Sequence, residues 1–244
     1  MQSNNPLFRK ATFDVTHGEP MTVAGAVNKA VLMTGVATAV AMVFYFYCLN
    51  LGYESSPAML GAIIGAVGGL VLALVAAFKP HLSTNIAMPY AVLEGLFLGG
   101  ISAAYNARYP GLPLIAIAVT FVTTFALLGL YKAKIIQATQ KFKAVVISAT
   151  LAILVLYVLQ WIMTLVFGNT IPFLFDNGII GLGFAAFVAI IASLNLILDF
   201  DLVERSAELN APKYMEWFCG IALLATLVWM YISFLRLLGI IRSN

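Results

Sequence analysis

The sequence predicts an all-α, polytopic membrane protein, a bundle of seven transmembrane helices. Three observations carry the prediction. Of the 244 residues, 62% are apolar and only 9% are charged, against about 25% charged in an ordinary soluble domain. So little charge cannot cover a water-soluble globule, but it can cover the two ends of a bundle whose sides face lipid. Seven apolar stretches stand out, each near the ~20 residues needed to cross ~30 Å of hydrocarbon. The positive residues gather on alternate connectors, as an odd number of crossings requires.

The elements follow in order. Residues 1–26 are polar, hold Pro6, Asp14, Glu19 and Pro20, and read as a cytoplasmic tail before a membrane domain of residues 27–244. The first apolar stretch, 27–50, is too long for a signal-peptide core and shows no cleavage site after it. It is expected to remain as the first transmembrane helix. The other spans are 57–78, 86–106, 112–131, 144–167, 178–200 and 215–238. Short polar connectors separate them, and Pro57, Pro80, Pro110, Gly111, Pro113 and Pro172 stop the helices for backbone reasons. The connector 132–143 is basic, and 201–213 is the most highly charged.

With the N-terminus in the cytoplasm, ten of the thirteen Lys and Arg residues lie on the cytoplasmic side, and only Arg108, Arg236 and Arg242 on the other. That bias predicts N-terminus in and C-terminus out. A re-entrant final segment is the alternative. Gly61, Gly65 and Gly69 repeat every four residues in the second span, and Gly95 and Gly99 in the third. Such ridges let helix backbones approach closely in lipid.

Several function classes drop out. No long hydrophilic stretch offers a soluble catalytic module, and there is no G-x-S-x-G, phosphate-binding glycine loop or H-E-x-x-H. The chain is not expected to be an enzyme. A net charge of +3 is too small to imply nucleic acid. Cys48 and Cys219 fall inside apolar spans and read as small hydrophobes. His17 and His81 read as tail and loop residues.

An ionisable group at membrane depth is costly unless paired, hydrated or neutralised, so the acids within the spans are informative. Glu94 stands about eight residues into the third span, ~12 Å deep at 1.5 Å per residue, with Ser102 and Asn106 near its face. It is either an ion or proton site or a structural carboxyl bonded to a neighbouring helix. Asp199 is expected at the cytoplasmic end of the sixth span, with Asn195 one turn deeper on the same face. Carboxylate and amide oxygens are hard ligands suited to Ca²⁺. Asp201 and Glu204 run into the connector as solvated charges balanced by Arg205 and Lys213. Glu216 opens the seventh span beside Tyr214 and Trp217, either as a cation-site carboxylate or as a first-turn acid favoured by the helix dipole. Thr226, mid-span, can satisfy its hydroxyl on its own helix. The candidate ion- or proton-binding residues are thus Asp199, Asn195, Glu94 and Glu216, with Asp199 and Glu216 the candidate Ca²⁺ ligands. Most of the acids belong to the cytoplasmic half, so a cation site would be reached from that side.

Four segments carry a family resemblance. They are Asn195-Leu-Ile-Leu-Asp199-Phe-Asp201-Leu-Val-Glu204, the closing Ser233-Phe-Leu-Arg236-Leu-Leu-Gly239, Glu94-Gly-Leu-Phe-Leu-Gly-Gly-Ile-Ser102, and the opening Asn5-Pro-Leu-Phe-Arg9. Together they resemble the Bax inhibitor / YccA family of membrane proteins, the opening its bacterial branch. The resemblance implies seven helices with the last surrounded by the other six, in a multi-pass protein of the bacterial inner membrane. It implies one of two functions: a pH-sensitive Ca²⁺ leak, or non-conducting modulation of a membrane-bound AAA protease. In leak-type members two aspartates, one ending the sixth helix and one within the seventh, share a proton-sensitive site. Asp199 matches the first. Counting back from Arg236 puts the second at Thr226, which cannot ionise. A weakened pH switch and weak Ca²⁺ binding follow, unless Glu216 or Glu94 replaces the missing acid. The expected partners are the lipid bilayer, Ca²⁺ or H⁺ and, in the second function, a membrane protease that engages the tail.

Overall fold

A computed structural model describes residues 19–51, 56–168 and 178–243. They form α1 (Val23–Leu51), α2 (Ser56–Phe78), α3 (Ser83–Arg108), α4 (Leu112–Lys132), α5 (Gln140–Phe167), α6 (Ile179–Glu208) and α7 (Met215–Ser243), with a 3-10 turn at Pro80–Leu82. Seven helices are long and apolar enough to cross a membrane. Among the described residues there is no strand, only an isolated backbone bridge between Pro20 and Pro212. The chain is a multi-pass membrane protein. The starts of α1, α5 and α7 meet the ends of α4 and α6 at one end of the bundle. That end carries Lys29, Lys132, Lys143, Arg205 and Lys213 and is called the basic end below.

The local sequence explains the helix limits. Thr139 caps α5 by accepting from the Phe142 N–H at 3.2 Å, one of the orphan donors of a helix start. Gly111, at φ 79°, turns the chain into α4, with proline in its first turn. The connector after α6 ends the helix at Asn210, in the left-handed region at φ 51°. There the Ala211 N–H returns to the Ser206 carbonyl at 3.0 Å, which satisfies a terminal acceptor.

The helices overrun the expected spans at several ends, and two of these boundaries bear on the site. The helix α6 does not stop near residue 200 but continues to Glu208. Hydropathy marks where lipid ends, not where backbone hydrogen bonding ends. Arg205 pairs with Asp201 one turn away at 2.7 Å, Lys143 of α5 also pairs with Asp201, and the Tyr131 hydroxyl of α4 donates to Glu204 at 2.5 Å. These partners let a charged segment remain helical. The first helix also begins earlier than the expected span, at Val23, within the stretch read as tail. The last residues of the tail are docked: the Met21 N–H donates to the Ala211 carbonyl at 2.8 Å. Residues 1–18 of the tail lie outside the described residues.

The central element is α7. Over its most apolar window 56% of residues are buried, against 11% for α4 and for α5. It packs against α1, α2, α3, α4 and α6 and reaches α5 through Arg236, which donates to the Tyr157 hydroxyl at 3.2 Å. Its 29 residues form one helix, so the final segment is not re-entrant. Lipid supplies no hydrophobic drive between helices, so association depends on close fit. Glycines provide it around α3. A Cβ on Gly65 would stand 2.5 Å from the Leu93 carbonyl oxygen, one on Gly95 2.7 Å from that of Ala37, and one on Gly99 2.6 Å from that of Ala41. The third helix is thereby clasped between α2 and α1.

Candidate functional site

Asp199 sits on α6 where that helix packs against α7. The helix runs nine residues past it to Glu208, ~13 Å at 1.5 Å per residue. The carboxyl therefore lies within the bundle and not at a hydrated helix end. Its Oδ2 is buried and has no hydrogen-bond partner among the described residues. The side-chain donor that faces it is the Thr226 hydroxyl of α7. Thr226 thus points across to α6, and the position reached by counting back from Arg236 is the one opposite Asp199. Cys219, two turns earlier on α7, is buried and lies within electrostatic reach of both Asp199 and Glu216.

Asn195 does not turn its amide to that site. Its Nδ2 donates to the Thr150 hydroxyl on α5 and to the Ile191 carbonyl, each at 2.8 Å. It works as a link between α6 and α5.

Glu216, 1% exposed, is held by donors from the start of α1. The Thr22 N–H reaches Oε1 at 2.9 Å and the Thr22 hydroxyl at 3.2 Å. Lys29 pairs with Oε2, and Lys213 lies 3.2 Å from Oε1. Gly25 makes this approach possible, because a Cβ there would collide with the carboxylate. Lys29 also lies over the Trp217 ring, 5.0 Å from its centroid. With two ammonium groups and an N–H on its oxygens, Glu216 is a fastening between α1 and α7, and the geometry gives it no free edge for Ca²⁺.

Asp201 is likewise a buried acid between Lys143 and Arg205, not the solvated charge expected of a connector. Lys213 turns to Glu216 and, at 3.7 Å, to Glu19, away from the acids of α6.

Glu94 is buried on α3. Tyr90, one turn earlier on the same helix, interacts with it, and a Cβ on Gly69 of α2 would be 2.9 Å from its Oε1. The residues expected near its face are engaged elsewhere. Ser102 donates to the Leu98 carbonyl at 2.5 Å and pairs with the Tyr231 hydroxyl at 2.7 Å. Asn106 accepts the Gly111 N–H at 2.9 Å. The four candidates therefore occupy separate settings: Asp199 against α7, Asn195 against α5, Glu216 against α1, and Glu94 against α2.

Among the described residues no group of three or more His, Cys, Asp or Glu is placed to hold a metal ion. One carboxyl and one hydroxyl would leave most of a six- to eight-oxygen Ca²⁺ shell to water. The residues that sequence reasoning missed are partners: Lys29, Lys143 and Tyr90. Lys29 carried a signal, since a lysine at the edge of an apolar span is readily matched by an acid at the same end of the bundle. Reading it only as a topology marker overlooks that.

Neither a curated protein nor a solved structure gives a significant match to the chain. The profile of the family described as Bax inhibitor 1 like matches residues 5–243, a stretch that contains all seven helices and every candidate residue named above. The chain belongs to the Bax inhibitor 1 like family.

Proposed function

We propose that the protein is a proton-responsive cation leak of the Bax inhibitor type, permeable to Ca²⁺, in which Asp199 meets the cation or proton. One observation carries this reading: a carboxyl within the bundle, against the central helix, with a buried oxygen that has no partner among the described residues. Such a group is completed by a proton or a cation. Exchange of one for the other alters charge at the α6–α7 contact, a local change that helix packing can read out. In this reading the protein lies in a bacterial inner membrane with its N-terminus and basic end cytoplasmic. Ca²⁺ is cargo that passes Asp199 from that side. Flux into liposomes by purified wild type and Asp199→Asn, at acidic and neutral pH, tests it. Lower flux or lost pH dependence in the variant supports the reading, and identical flux removes Asp199 from it.

A second reading, a non-conducting regulator of a membrane-bound protease, draws on the docked tail. Met21 is bonded to Ala211 and Thr22 to Glu216, so a partner that engages residues 1–18 acts directly on the start of α7. Deletion of residues 2–20, with turnover of a membrane-protease substrate as the readout, separates the two. Turnover unchanged by both the deletion and a full knockout removes this reading.

A further inference from the structure

The helices α1 and α4 are not in contact with each other. Between them lies a crevice of about 600 Å³. Leu224 and Val228 of the central helix line it, Met42 and Phe46 of α1 form one rim, and Leu114 and Phe121 of α4 form the other. All four rim side chains are exposed, so the crevice opens sideways, at the level of the spans, where the surrounding medium is hydrocarbon. The lining is almost wholly apolar, and two of its polar groups are satisfied within the protein: Ser102 by Leu98 and Tyr231, and Thr120 by the Ala116 carbonyl at 2.7 Å. What remains is an apolar channel. Along α1 it extends from Thr34 to Leu49, ~22 Å at 1.5 Å per residue.

We propose that this crevice is a binding site for one acyl chain of a bilayer phospholipid, laid along α7 between α1 and α4. Length, lining and position select this occupant. The crevice exceeds the ~15 Å that one leaflet contributes to a ~30 Å hydrocarbon core, so a chain entering from the interface fits along it. A polar ligand would meet a wall that is almost wholly apolar. A helix from a second copy is the competing occupant, and the test below separates the two. The open end lies by Leu49, Asn106 and Pro113, at the end of the bundle away from the basic end, and the chain tip reaches Leu98 and Leu227. The site is independent of the leak reading.

The test uses full-length protein reconstituted with phosphatidylcholine that carries a photoactivatable diazirine near the end of one chain, with adducts mapped by mass spectrometry. Leu98 of α3 and Leu227 of α7 line the crevice and are only partly buried, so a chain laid in it reaches them. Adducts are expected at both, besides those on outward residues of α5 such as Leu151 and Leu154. Ala41→Phe, which fills the crevice from α1, should reduce the Leu98 and Leu227 adducts severalfold and leave those on α5 unchanged. Ile117→Phe does the same from α4 if the first variant does not fold. Wild-type adducts confined to outward residues overturn the proposal. So do Leu98 and Leu227 adducts that persist in a folded, filled variant, and so does a crosslink at these positions to a second copy of the chain.

Discussion

Asp199 of α6 faces Thr226 of α7, so a hydroxyl stands where a second carboxyl would complete a proton-sharing pair. Two carboxyls at such range cannot readily both ionise, and they titrate as a unit. Thr226→Asp is therefore expected to steepen the pH dependence of cation flux in liposomes relative to wild type. A profile identical to wild type would mean that the two positions do not act together. Thr226→Val removes the donor at nearly constant volume. It should destabilise the protein by about 1–3 kcal/mol, the cost of a buried polar group that loses its partner, as read from thermal unfolding in detergent.

The Glu216 fastening gives a second expectation. Removing one member of a buried ion pair costs about 3–5 kcal/mol because the other charge is left uncompensated. Glu216→Gln strands Lys29, whereas Lys29→Met leaves Glu216 with Lys213 and Thr22. The glutamate variant should be the more damaged of the two. The double variant should lose less than the two losses added together, because the residues are in contact. Strictly additive losses in a double-mutant cycle would show that the pair contributes no coupling.

The glycines of the bundle divide by what surrounds them. Gly65→Ala meets α3 backbone, which cannot give way as a side chain can, and should destabilise by about 1–3 kcal/mol or more. Gly129→Ala meets nothing within 4 Å and should gain up to ~1 kcal/mol of helix propensity. Comparing the unfolding of the two variants in one detergent checks the sign of each.

The helices were legible because hydropathy at membrane depth is a strong constraint, and Gly65, Gly95 and Gly99 announced where backbones meet. The end of α6 was not legible. Asp201, Glu204 and Arg205 look like a connector until their partners on α4 and α5 are known. That one boundary moved Asp199 from a hydrated end into the bundle. The resemblance paired Asp199 with a position on the seventh helix, counting back from Arg236 placed that position at Thr226, and Thr226 does face Asp199. Glu216 and Glu94 were misjoined to them because their partners, Lys29 and Tyr90, depend on which helix faces which, and spacing within one helix cannot report that.

Orientation has its own check. Single cysteines at Ser3 and Ser243, with Cys48 and Cys219 replaced by alanine, should react with a membrane-impermeant reagent from opposite sides, Ser3 from the cytoplasm. Reaction of both from one side would contradict the seven-span topology.

The most direct measurement is Ca²⁺ flux against pH in liposomes that contain wild type, Asp199→Asn, Glu216→Gln or Glu94→Gln. Asp199→Asn is expected to reduce flux or abolish its response to pH. Glu216→Gln and Glu94→Gln, once matched for folded protein, should retain the wild-type response, because their carboxyls are engaged with Lys29 and Tyr90. Wild-type and Asp199→Asn curves that superimpose from acidic to neutral pH would contradict the central claim.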